Sequence, residues 1–223
     1  GRGVVPDFFD PKVYERIRRR GAEVDAFKDD PWLIGYFLDN ELPWAFDYRC
    51  MPSLFPGYMA MAPESPGKQR LVAFFKEHYG TVEALARVWN THLSDWADLA
   101  KVKGMPARDA ARAEADQEAF VLEAARQYFK AAAEGIRSKD KEHLIMGCRF
   151  VCALVPKPVV QACGEFCDVV TINYYEPGPV GEVALRLSSG IAMRLPEDLS
   201  FRAFYETAKK PLMVTEFSFR GMD

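Results

Sequence analysis

The sequence predicts an α/β fold built on parallel strands, and two observations carry that prediction. Four short apolar runs, at 33–38, 143–150, 168–175 and 210–217, each end in or beside polar groups. Those groups are Asp39-Asn40-Glu41, Arg149, Asn173 with Tyr175, and Glu216. Helical stretches separate the runs, and a crossover that long joins parallel strands with one handedness, so all four C-terminal ends should lie on one side.

The first run is the most informative. Residues 33–38 sit between Pro31 and Pro43 and read as a strand buried on both faces. Upstream of it, Asp10 is a good N-cap and Pro11 suits the first helical position. Val13 and Ile17 begin an apolar stripe, Arg18-Arg19-Arg20 a solvated face, and Asp29-Asp30-Pro31 a stop.

Residues 42–66 hold five prolines among aromatics, which reads as a long loop without strand alternation. Trp44 in that loop could serve as a sugar platform or simply pack against neighbouring loops. Helices are expected at 66–79 and 81–89, and after Ser94 or Asp95. A longer helix should run over about 107–138, with Phe120, Val121, Ala124, Ala125, Tyr128, Phe129, Ala132 and Ile136 as its core face. Residues 158–166 suit a short helix, 176–198 a Gly/Pro-rich loop, and Ser200 a cap for a helix through Ala208.

Composition bounds the function classes. The 223 residues are 49% hydrophobic and 27% charged, with net charge -3. That is an ordinary globular balance with no electrostatic case for nucleic acid. No apolar stretch approaches the roughly 20 residues of a membrane span, so no membrane partner is expected. The opening Gly1-Arg2-Gly3 resembles no signal peptide, and the natural start is expected to have been removed or to lie upstream. The five cysteines (Cys50, Cys148, Cys152, Cys163 and Cys167) contain no Cys-x-x-Cys pair and read as small buried thiols.

Two carboxylates, Glu41 and Glu216, are thus predicted to face one another across one mouth. Opposed carboxylates are what glycoside hydrolysis needs: one protonates the leaving oxygen, and the other attacks the anomeric carbon or activates water. A metal-dependent barrel enzyme using Asp39, Glu41 and Glu216 as ligands is a competing reading. His78, His92 and His143 fall outside the strand ends, which weakens it.

The segments WLIGYFLDNE, HLIMGCRF, DVVTINYY and KPLMVTEFSF resemble strands four to seven of a clan A glycoside hydrolase (β/α)8 TIM barrel. The combination is most similar to the family 50 β-agarases, and more distantly to the family 42 β-galactosidases. The resemblance covers most of the chain and weakens over 42–142, where it implies a long helical and loop insertion within one catalytic barrel domain, 1–223. It implies Glu41 as acid/base, Asn40 at the sugar 2-hydroxyl, Glu216 as nucleophile and Tyr175 as the phenol that positions it. Asn173 and Arg149 would join them as substrate-binding groups. Arg149 would supply positive charge to Glu216 or form a buried structural ion pair. The implied mechanism is retaining, without metal or cofactor, on galactose-containing poly- or oligosaccharide. An inactive or carbohydrate-binding barrel relative is the alternative.

Two departures qualify the resemblance. Thr215-Glu216-Phe217-Ser218-Phe219-Arg220 stands where agarases tend to carry Gly-Glu-Phe-His-Phe-Gly, so the histidine is lost and Arg220 is gained, which would suit an anionic or sulfated sugar. A full barrel has eight strands in about 250 residues, whereas four are legible here. The rest of the barrel is therefore expected from a longer parent chain, and the piece alone is expected to be unstable or oligomeric. An extracellular or periplasmic location is expected if the substrate is a polysaccharide.

Overall fold

The computed structural model describes residues 5–44, 53–151, 155–175, 184–186, 192–194 and 201–218. Helix α1 (Pro11–Gly21) begins as its sequence dictates, with the Asp10 carboxylate accepting from Lys12 N at 2.8 Å and Pro11 in the first turn. It ends earlier than the Asp29-Asp30-Pro31 stop, passing at Gly21 into a 3-10 turn over Ala22–Ala26. Gly21 is where α1 presses on a later helix: a Cβ there would meet Ala132 O at 2.6 Å.

Strand β1 (Gly35–Tyr36) is shorter and less covered than its sequence predicts. Burial on both faces is corrected here: Trp32 is 90% exposed and Ile34 63%. The physical reason is pairing on one side alone among the described residues.

The reading of 42–66 as loop is also corrected, because α2 (Leu54–Ala60) lies inside it. Leu54, Phe55, Tyr58 and Met59 are all buried, which is helical spacing. Pro56 falls in the first turn, where no N–H is needed. Helices α3 (Pro66–Tyr79), α4 (Val82–Val88) and α5 (Trp96–Lys101) follow. Gly80, at φ 72°, closes α3 in a left-handed conformation that glycine adopts freely. Thr81 and Asp95 cap the next two, accepting from Ala84 N at 3.2 Å and Asp98 N at 3.0 Å.

The 28-residue α6 (Ala110–Arg137) organises the helical layer. Its whole predicted face, from Phe120 to Ile136, is buried. It crosses α1 so closely that a Cβ on Gly135 would meet Arg18 O at 2.1 Å.

The run at 143–150 is not one strand but two, β2 (Leu144–Ile145) and β3 (Phe150–Val151). The break has a backbone cause: Gly147 and Arg149 between them take φ of 65° and 49°, outside strand geometry. Helix α7 (Lys157–Phe166) leads to β4 (Val170–Tyr175). The predicted loop at 176–198 holds a two-stranded antiparallel pair, β5 (Ala184–Arg186) and β6 (Ala192–Arg194), another correction. Helix α8 (Phe201–Ala208) and β7 (Leu212–Ser218) complete the described chain.

Strand β1 pairs parallel with β2, and β3, β4 and β7 form a parallel sheet in that order. The two pieces are joined across the break, where Asp168 N donates to Ile145 O at 2.9 Å. Strands β1 and β2, and then β3, β4 and β7, therefore run parallel, with C-terminal ends that share one side within each sheet.

Candidate active site

Each polar group is aimed by a local backbone feature. Glu41 follows β1 in a left-handed conformation, φ 54°, and its N–H donates to Cys148 O at 3.2 Å. Arg149, at φ 49°, is held by its own N–H, which donates to Thr171 Oγ1 at 2.9 Å. Left-handed geometry costs a side-chain-bearing residue about 1–2 kcal/mol. Of three such non-glycine residues among those described, Glu41 and Arg149 are two. Strain concentrated this way is typical of functional positions.

Strands β4 and β7 supply the rest. Thr171 and Asn173 alternate onto one face of β4 and are buried. Ile172 stands opposite Val214, yet Asn173 stands opposite Glu216, so Thr215 is an extra residue at a bulge. Without the bulge Asn173 would meet Thr215, and Glu216 would turn to the other face. One inserted position re-aims the carboxylate.

The side chains then connect. Asn173 Nδ2 donates to Glu41 Oε1 at 3.0 Å, and Asn173 Oδ1 accepts from Thr215 Oγ1 at 2.8 Å. Arg149 Nη2 forms an ion pair with Glu216 Oε1. The Arg149 guanidinium also lies 5.4 Å from the Phe37 ring centroid, within cation–π reach. Beneath them, Thr171 Oγ1 donates to Met146 O at 2.5 Å. The arrangement places two carboxylates at one strand-end mouth, one beside an amide donor and one beside a fixed cation.

Of the predicted residues, Glu41, Asn173, Arg149 and Glu216 come together. Asn40 is exposed beside them, its N–H donating to Asp39 Oδ1 at 2.8 Å. Tyr175 ends β4 in register with Ser218. Trp44 is placed elsewhere, which corrects the sugar-platform option. It is 2% exposed, stacked on Phe129 at 5.6 Å and packed against Phe8 and Tyr128. Both the aromatic neighbours and the burial make it core. Cys148, Cys163 and Cys167 are buried free thiols. Cys50, Cys152 and Arg220 lie outside the described residues.

Sequence reasoning missed Thr171, Thr215 and Phe37. Period-two alternation from Asn173 would have found Thr171. Thr215 was hidden because neighbours on a regular strand face opposite ways, and the bulge cancels that rule.

Comparison with known proteins shows the family. Residues 11–213 match the glycoside hydrolase family 42 model, described as beta-galactosidase. Beta-agarase B of Vibrio sp. (strain JT0107) is 25% identical over 183 residues, covering 78% of this chain and 19% of its own. Beta-agarase A of the same strain is also 25% identical, over 99% of this chain and 22% of its own. The chain thus spans about a fifth of the length of these relatives. Among solved structures, an agarase superimposes with TM-score 0.75 at 29% identity, covering 96% of this chain and 28% of that one. A beta-galactosidase from the psychrophilic Marinomonas ef1 shares the fold, with TM-score 0.61 at 14% identity, over 97% of this chain and 33% of that one. The described residues form parallel strands with helices and no closed barrel, and the match over residues 11–213 shows that this chain, a clan A glycoside hydrolase, belongs to the family 42 beta-galactosidase family.

Proposed function

We propose that this chain carries the catalytic centre of a retaining β-glycoside hydrolase acting on galactose-containing poly- or oligosaccharides. The observation that carries the reading is the convergence of Glu41 and Glu216 on the Asn173 position, the first by hydrogen bond and the second by strand register. The agarase and beta-galactosidase names of the relatives support the substrate class.

In this reading Glu216 attacks the anomeric carbon while Glu41 gives its proton to the departing oxygen. Water then attacks the glycosyl–Glu216 ester, Glu41 takes its proton, and Glu216 is released with the configuration retained. Arg149 fixes positive charge beside the attacking group, an electrostatic contribution that needs no reorganisation during the reaction. Asn40 holds the sugar 2-hydroxyl, and Tyr175 positions the nucleophile. The remaining strands of the barrel come from a longer parent chain.

The test uses that intact enzyme with aryl β-galactosides. Glu41→Ala should lower turnover of poor leaving groups by about 10²–10⁴-fold. Glu216→Gly should be inactive and rescued by azide to an inverted glycosyl azide. Rescue of Glu216→Gly with retained configuration would exchange the two roles, and full activity in either variant would sink the proposal.

A further inference from the structure

Taking Glu41 as the acid/base, we infer that Thr215 is a positioning residue that serves Glu41 both with and without its proton, acting through the Asn173 amide. A residue in that catalytic position must be a donor in one step and an acceptor in the next, so whatever touches it must tolerate both. Asn173 is 1% exposed, so each of its polar atoms needs a partner within the protein.

The observed arrangement suits the carboxylate. Asn173 Nδ2 donates to Glu41 Oε1, and Thr215 Oγ1 donates to Asn173 Oδ1. Thr215 Oγ1 has a second acceptor in reach, Ile172 O at 3.2 Å. An amide carries both donors and an acceptor, and a hydroxyl gives one hydrogen while accepting others. A half-turn of the Asn173 amide therefore produces a second complete arrangement. Oδ1 accepts from the protonated Glu41, Nδ2 donates to Thr215 Oγ1, and the Thr215 hydroxyl hydrogen turns to Ile172 O. No polar group of the three loses its partner in either state.

The proton count follows the two steps. In the first, the Glu41 hydrogen swings from Asn173 Oδ1 to the leaving oxygen and passes to it as the glycosidic bond breaks and the Glu216 ester forms, and the amide turns its Nδ2 to the new carboxylate. In the second, water bonds to the anomeric carbon and releases Glu216, its proton passes to Glu41, and the amide turns back. Valine has the shape of threonine and neither supplies nor accepts the hydrogen bond, so it impairs both arrangements.

The experiment compares kcat/KM of the intact enzyme on dinitrophenyl β-galactoside, whose leaving group departs unprotonated, and on phenyl β-galactoside, which needs the proton. Thr215→Val and Thr215→Ala should each lose about tenfold on the phenyl substrate, the equivalent of one hydrogen bond. Both should keep their dinitrophenyl value, and Thr215→Ser should restore the phenyl value. An equal fall on both substrates, no fall on either, or failure of serine to rescue would overturn the inference. Glu41→Ala is the control. If it shows no difference between substrates, the assignment of Glu41 fails; if it does and the Thr215 variants do not, only the role of Thr215 fails.

Discussion

In the helical layer of α2 to α6, Tyr58, Leu71, Phe75, Leu85, Leu99 and Phe120 lose all contact with solvent. In the strand layer, Trp32, Ile34, Phe37, Val214 and Phe217 stay exposed. Burying a large apolar side chain stabilises by about 1.5–3 kcal/mol, so the two layers differ in how firmly they are held. The strands join the helical core through Ile145, Phe150, Val170 and Ile172, yet their outer positions present apolar surface of the kind that a neighbouring strand or helix covers. The candidate site sits in the less covered layer. Its geometry is fixed by specific bonds, such as Asn173 to Glu41, together with the burial of Thr171 and Asn173.

Three measurements can break or sharpen that contrast. Phe120 meets the rings of Phe9, Phe55, Tyr58 and Phe74, so Phe120→Ala should cost about 3–5 kcal/mol in denaturant unfolding. A loss under about 1 kcal/mol would show that the helical layer is not the firm one.

The next effect is a pH dependence within the same layer. Lys68 is fully buried, its ammonium donating to Met59 O at 2.7 Å and Val102 O at 2.5 Å. Burial pushes its pKa down to about 8. Between that value and the ordinary value of about 10.4, the unfolded chain keeps a proton that the folded chain gives up. Stability measured against Lys68→Met should accordingly rise as pH climbs from about 8 to about 10.4. A difference that stays flat across that window would refute it.

The smallest effect belongs to the strand layer. Trp32→Ser should change stability by no more than about 0.5 kcal/mol, because the ring has nothing to lose. A cost above about 1 kcal/mol, or one that grows with protein concentration, would mean that the indole is covered in solution by another copy.

Much of this was legible in the sequence, and the failures have physical causes. The α6 stripe from Phe120 to Ile136 was readable because a long amphipathic helix repeats its signal many times. Glu41 and Glu216 were readable because each ends an apolar run. The α2 helix escaped because its prolines outweighed the spacing of Leu54, Phe55, Tyr58 and Met59. The break between β2 and β3 escaped because Arg149 carries no local mark of a left-handed conformation. The burial of Trp44 depends on Phe129, far along the chain, and no local pattern records such a contact.

The backbone at Glu41 and Arg149 has a consequence for anyone selecting variants of this protein. Glycine or asparagine would settle into those conformations more comfortably than the residues present. On the proposed reading of the site, a library screened for heat tolerance alone should discard these two side chains early and return proteins that melt later and have lost the chemistry. Durability and chemistry pull on the same two positions in opposite directions.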